Sequence, residues 1–253
     1  MRRTTSVYII LIIIASLLMG CKKPEKPPET VLYISAASSL KGPVKDWIKQ
    51  FEEDHPHVHI AANFGASGVL LNQIKKGAPA DLVFSAQAID HYVPSGSTIS
   101  FKEEGIIASN ELVFVAGKRL NSPVRSVKDL PADAKLGIGD PKWVPAGFYA
   151  EKVLEHLNKS LDEIRFSQNA VHLKGLVENG AVDYAIMYKT DAVDNKHLTI
   201  LETIPESMYP VIEYPLYVVN SAKKDTKDFI QYVQSAEGQL VLRKYHFRES
   251  VKN

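Results

Sequence analysis

Residues 64–88 constrain the fold more than any other stretch of the chain. Phe64-Gly65-Ala66-Ser67-Gly68 is a turn of small residues, and Val69, Leu70, Gln73 and Ile74 follow at the spacing of a short amphipathic helix. Gly77-Ala78-Pro79 ends that helix, because proline cannot continue it and glycine takes the terminating conformation readily. Asp81-Leu82-Val83-Phe84-Ser85 then reads as a strand. A small-residue turn that opens a helix leaves backbone N–H groups free at the positive end of the helix dipole, which suits an anion.

The same grammar runs on both sides of this stretch. Val31-Leu32-Tyr33-Ile34-Ser35 is a β-rich run that leads into Ala36-Ala37-Ser38-Ser39-Leu40. From there Leu40, Val44, Trp47, Ile48 and Phe51 recur at helical spacing, so Ser38 or Ser39 is a candidate N-cap. Pro43 lacks the N–H that would bond back to Ser39, which moves the start of regular helix towards Gly42. Val58, Ile60 and Ala62 alternate as a strand, and residues 89–109 read as a short helix, a loop and a connection.

After the strand Glu111–Ala116 the pattern repeats. Leu136–Asp140 is a strand, Pro141–Tyr149 a turn into a helix through Val153, Leu154 and Leu157, and Leu173, Leu176 and Val177 mark another helix. Asn179-Gly180 stops it, and Tyr184–Tyr188 is a strand. Val211–Val219 has the length to cross back between lobes, and one C-terminal helix is expected from about Thr226. The fold class is α/β, with two βαβ lobes joined by crossing hinge strands. Ligands of such sheets sit at the carboxyl ends of the strands, where Ser39 and Ser67 both fall. Each serine alone reads as a helix cap. Together, opposite the Ala146-Gly147 turn, they favour an oxyanion pocket between the lobes.

The first twenty residues are an address. Arg2 and Arg3 precede the apolar run Val7–Leu18, and Leu18-Met19-Gly20-Cys21 resembles a bacterial lipoprotein cleavage site. A spanning helix needs about 20 apolar residues, and this run is shorter. Cys21 is the single cysteine, so it has no disulfide partner, and a lipid on its sulfur explains its position. Residues 21–30, rich in charge and proline, form a tether. Removing residues 1–20 takes away two positive charges and leaves 28 basic against 29 acidic residues. No basic face for nucleic acid is indicated.

Rival chemistries have little support. His55, His57 and His59 could bring two imidazoles to one strand face, yet no acidic or histidine partner with metal-site spacing accompanies them. There is no Gly-x-Ser-x-Gly elbow and no phosphate loop, and the paired carboxylates Glu52-Glu53 and Glu103-Glu104 lie in polar surroundings. No catalytic residue, enzyme activity or cofactor is expected.

Several stretches together resemble the molybdate-binding proteins of bacterial ABC importers, which are type II periplasmic-type solute-binding proteins. They are Ala36–Leu40, Gly65–Gly68 with Gln73-Ile74, Gly77–Leu82, Asn110–Val113, Gly139–Pro141, Val144–Ala150, Tyr188–Ala192 and Tyr214-Pro215. The similarity covers nearly all of residues 31–248. It implies a first lobe of residues 31–110 and 212–253 and a second of 111–211, closing about hinges near 109–117 and 211–219.

It also implies a tetrahedral dianion held by neutral donors. Ser39 and Ser67 would give hydroxyl and backbone N–H groups, Ala146 a backbone N–H and Tyr188 its phenol. A fifth backbone donor falls at Ala170, with Val171 as the alternative. Gly42-Pro43 and Ala170-Val171-His172 depart from the family pattern. The expected protein is a monomeric, extracytoplasmic, lipid-anchored receptor that delivers molybdate or tungstate to a membrane permease. The alternatives are the same receptor for sulfate or another small anion, an enzyme on this fold, and a surface adhesin.

Overall fold

The structure is a computed structural model that describes residues 30–93, 96–121 and 123–249. The signal segment 1–20, Cys21 and most of the tether lie outside the described residues.

Two five-stranded mixed sheets make two lobes. The first has the order β2-β1-β3-β10-β4, from β1 (Thr30–Ala37), β2 (Val58–Gly65), β3 (Leu82–Phe84), β4 (Phe101–Asn110) and β10 (Ile212–Val219). The second has the order β7-β6-β8-β5-β9, from β5 (Leu112–Gly117), β6 (Leu136–Gly139), β7 (Ile164–Ser167), β8 (Tyr184–Tyr188) and β9 (Leu198–Thr203). In each sheet three strands run parallel, and the remaining two are joined through antiparallel pairs. The two lobes therefore share one plan. A right-handed crossover after each parallel strand returns a helix to the sheet face, which puts every helix start at the same sheet edge.

Four helices begin there. They are α1 (Lys41–Asp54) after β1, α2 (Ser67–Lys75) after β2, α3 (Pro145–His156) after β6 and α4 (Ala170–Glu178) after β7. The four-residue α5 (Lys189–Ala192) follows β8 directly, and α6 (Lys224–Gln234) and α7 (Ala236–Lys244) close the chain. Gly77 at φ 95° and Gly180 at φ 75° end α2 and α4 in the left-handed region that suits glycine.

The first lobe packs around Trp47, Phe51, Phe84 and Phe229, all essentially inaccessible. Phe51 meets Phe229 edge-on with centroids 5.0 Å apart, and the Trp47 indole N–H donates to the Gly238 carbonyl at 2.9 Å. The last helix is thereby tied to the first. Leu112, Phe114, Tyr188 and Tyr214 join the same continuous core, so apolar packing runs from one lobe into the other behind the crevice.

Several expectations need correcting. In residues 89–109 the short helix is a single 3-10 turn at Ile89–His91, and the expected connection is instead part of the ten-residue strand β4. Two register shifts against β10, near Ile107 and Glu104, break its alternation and hid it. The strand expected to cross between lobes, β10, lies wholly in the first sheet; the chain crosses at 110–112 and returns through 204–211. The C-terminal helix is two helices, because Ser235 turns the chain and its Oγ caps the Gly238 N–H at 3.2 Å. In α2 it is Leu71 that is buried, while Val69 is exposed. Ser38 and Ser39 cap nothing through their side chains; Ser38–Leu40 is a 3-10 turn, and regular helix starts at Lys41. His57 and His59 pair separately, with Asp225 and Glu52, and no metal-holding group of side chains occurs among the described residues.

Candidate functional site

The crevice between the lobes gathers the residues singled out above. Ser39 lies in the turn after β1, and Ser67 is the first residue of α2, 1 % exposed. Ala146 is the second residue of α3, Ala170 the first of α4, and Tyr188 the last of β8. The lobes touch here. The Gly68 N–H donates to the Trp143 carbonyl at 3.1 Å, the His91 and Phe148 rings stand 5.1 Å apart, and α4 packs on the Ser38–Leu40 turn. Ser39 is joined to Tyr214, whose ring centre is 6.0 Å from that of Tyr188.

Local chain geometry decides which donors remain open. At the start of α3, Pro145 has no N–H, while those of Gly147 and Phe148 return to the Val144 carbonyl. The Ala146 N–H is the one left over. At the start of α4, the Asn169 side chain takes the His172 N–H at 2.9 Å and its carbonyl takes that of Leu173. That leaves Ala170, which is buried, and Val171, whose side chain is 44 % exposed. Ser67 Oγ accepts the Ala86 N–H at 3.1 Å, so its own proton is free to be given elsewhere.

The site is rich in neutral hydroxyls. Burial pushes the phenols of Tyr92, Tyr149, Tyr188 and Tyr214 well above their ordinary range, which keeps them protonated. The Tyr188 hydroxyl is sealed and meets no partner among the described residues. A buried hydroxyl left unpaired costs about 1–3 kcal/mol, so its position calls for an acceptor.

Beside it, Asp191 is half-buried overall, yet its Oδ2 is sealed and also unpaired. Burial pushes this carboxyl up to about 6, against a weaker opposing pull from Lys174. Its folded pKa stands above the unfolded value of 3.8, so the folded chain holds a proton that the unfolded chain has already released. The resulting stability is full below that unfolded value and is lost as pH rises through the folded one, by on the order of 2–3 kcal/mol. Asp191→Asn is accordingly expected to flatten that decline and to raise the melting temperature at pH 7.5 by several degrees. Calorimetry from pH 4 to 8 checks this; an unaltered profile contradicts it.

A hollow of about 310 Å³ beside Lys118, Glu178, Asp183 and His197 lies at the opposite end of β5 and β8 from Tyr188. It has mixed charge and none of the helix starts.

In the sequence, Asn110 and Tyr214 stand out only through the family resemblance. The structure adds them to the site: the Asn110 amide donates to the Tyr214 hydroxyl at 3.1 Å, and that hydroxyl lies 3.2 Å from Ser39 Oγ. No spacing signal could have found a pair 104 residues apart.

Comparison with known proteins agrees with this architecture. A family model described as bacterial extracellular solute-binding protein matches residues 32–248. A Bacillus subtilis protein, named provisionally as an ABC transporter substrate-binding lipoprotein, is 35% identical over 96% of this chain and 97% of its own. The molybdate-binding protein of Haemophilus influenzae is 30% identical over 85% of this chain and 88% of its own. Among solved structures, the periplasmic molybdate-binding protein of Azotobacter vinelandii superposes with a TM-score of 0.68 at 19% identity, covering 85% of this chain and 98% of its own. A sulfate-binding protein of Mycobacterium tuberculosis reaches the same TM-score at 17% identity, with 88% of each chain covered, so the shared fold does not choose the anion. Two lobes of one plan, a crevice lined by helix starts and a family match across the whole folded region lead to one conclusion: the chain belongs to the bacterial extracellular solute-binding proteins.

Proposed function

We propose that the protein captures molybdate or tungstate between its lobes and delivers it to the permease of an ABC importer. The observation that carries this reading is the Tyr188 hydroxyl, buried and unpaired at the end of β8, with its ring beside that of Tyr214, which meets Ser39. The donors are the hydroxyls of Ser39, Ser67 and Tyr188 and the backbone N–H groups of Ser39, Ser67, Ala146 and Ala170, with Val171 the alternative to Ala170. The backbone groups only give hydrogen bonds, each hydroxyl has a proton to give, and none carries a formal charge. A fully deprotonated tetrahedral dianion satisfies them all, and the helix dipoles meet its charge. Monohydrogen phosphate would bring a proton that the backbone N–H groups cannot receive. The identities with curated molybdate-binding proteins support the choice of cargo.

On this reading residues 31–110 and 212–253 move as one lobe and 111–211 as the other, about the crossings at 110–112 and 204–211. Cys21 carries the lipid that holds the mature chain at the outer face of the membrane, in keeping with the lipoprotein name of the Bacillus subtilis relative. The test is elemental analysis of protein purified from cells supplied with molybdate and tungstate, then dialysed. About one molybdenum or tungsten per chain is expected, and a metal-free protein contradicts the reading.

Sulfate is the second reading, favoured by the fold shared with the sulfate-binding protein. It is a tetrahedral dianion too, and size is what separates it from molybdate. Closure can be probed in either case. A Cβ on Gly68 would stand 2.9 Å from the Trp143 carbonyl across the crevice and 2.6 Å from Tyr92 Cε1. Gly68→Ala is expected to weaken anion capture about tenfold, or about 1.4 kcal/mol. Tryptophan fluorescence titration measures it, since Trp143 sits at the contact; unchanged affinity contradicts the closure geometry.

A further inference from the structure

Tyr214 and Asn110 are absent from the donor set above, yet they decide what Ser39 can do. Tyr214 is fully inaccessible and Asn110 is 5 % exposed. The Asn110 amide is oriented by its own backbone neighbour, because Oδ1 accepts the Glu111 N–H at 2.9 Å. Its Nδ2 therefore faces Tyr214 at 3.1 Å and Thr190 Oγ1 at 3.0 Å, and an amide nitrogen can only donate. The Tyr214 oxygen receives that hydrogen bond, which leaves the phenolic proton for Ser39 Oγ, 3.2 Å away. Ser39 Oγ is then an acceptor on its inner side, and its own proton points to the crevice. The ring that carries this relay is seated by Phe247, edge-on at 5.2 Å, and by Tyr188.

We infer that Asn110 and Tyr214 are positioning residues that order the protons from the hinge to the site, so that Ser39 meets the ligand only as a donor and protonated oxyanions are refused. Ser67 receives the same polarity from a simpler source, the Ala86 backbone N–H. At Ser67 the orientation comes from a fixed peptide. At Ser39, in the same lobe, it comes through two side chains, one at the outgoing crossing and one just beyond the return. The inference rests on the oxyanion reading of the crevice and adds the origin of its selectivity.

Tyr214→Phe keeps the ring and removes the relay. Ser39 can then give or accept a hydrogen bond, so the variant is expected to bind molybdate somewhat more weakly and monohydrogen phosphate more tightly. The ratio of the two affinities should fall about tenfold or more. A merely structural role for Tyr214 would weaken both anions alike.

Asn110→Asp supplies the complementary variant. A carboxylate there accepts from Tyr214, reverses the relay and turns the Ser39 proton inward, so molybdate affinity should fall at least tenfold. Adding Tyr214→Phe to Asn110→Asp cuts the reversed relay and should recover part of that loss, whereas simple charge repulsion from Asp would persist. The experiment is calorimetric titration of the full mature chain and the three variants with molybdate and with phosphate at pH 7.5, folding being checked by circular dichroism. Wild-type protein that binds neither anion nor sulfate overturns the oxyanion reading itself. Wild-type binding with an unchanged selectivity ratio in Tyr214→Phe, or with no recovery in the double variant, overturns the relay alone.

Discussion

Tyr188→Phe is expected to stabilise the unliganded protein and, at the same time, to weaken anion capture by one to two orders of magnitude. The two effects have one cause. With the lobes in contact the phenolic hydroxyl is buried without a partner among the described residues, and removing it relieves a penalty of about 1–3 kcal/mol. For a chain of this size that corresponds to a rise in melting temperature of about 2–4 °C per kcal/mol. In the complex the same hydroxyl donates to a charged oxygen, a bond worth about 1.5–3 kcal/mol, or roughly 10- to 150-fold in affinity. Phenylalanine keeps the packing against Tyr214, so the lobes should still close. Differential scanning calorimetry with and without molybdate reads both effects. A lower melting temperature without ligand, or an unchanged affinity, contradicts the role given to Tyr188.

Gly147→Ala should damage the fold and the site together. A Cβ at this position would stand 2.1 Å from the Gly139 carbonyl oxygen and 2.4 Å from its carbon, and both are backbone atoms. Gly139 faces it closely too: a Cβ there would be 2.8 Å from the Gly147 nitrogen. The start of α3 thus lies backbone against backbone on the end of β6, and no side chain can rotate away to make room. Alanine must push the helix start off the strand, which carries the Ala146 N–H with it. A loss of about 3 kcal/mol or more is expected, at the upper end of overpacking effects. Gly175→Ala is the control, since nothing lies within 4 Å of its Cβ and alanine favours a helix by up to about 1 kcal/mol. Urea denaturation separates them. Equal midpoints for Gly147→Ala and wild type contradict the close approach.

The parts of this architecture carried by local chemistry were readable from residue order. Small-residue turns ahead of apolar periodicity mark the starts of α2 and α3, and glycines with positive φ mark the ends of α2 and α4. What depended on partners far along the chain was not readable. Ser39 looked like a helix cap because serine after a strand usually is one; its hydroxyl instead faces Tyr214, 175 residues away. Strand β4 was masked by two bulges that exist only relative to β10, and β7 by having just four residues at a sheet edge. The isolation of the Tyr188 hydroxyl is a property of the packed crevice and has no sequence signature at all.

The most direct test of the account is isothermal titration of the mature chain, residues 21–253, with molybdate, tungstate, sulfate and phosphate in turn. The account predicts tight one-to-one binding of molybdate or tungstate, sulfate weaker by about 100-fold or more (about 2.7 kcal/mol) and phosphate weaker still. Sulfate binding as tightly as molybdate, or silence with all four anions, would contradict it.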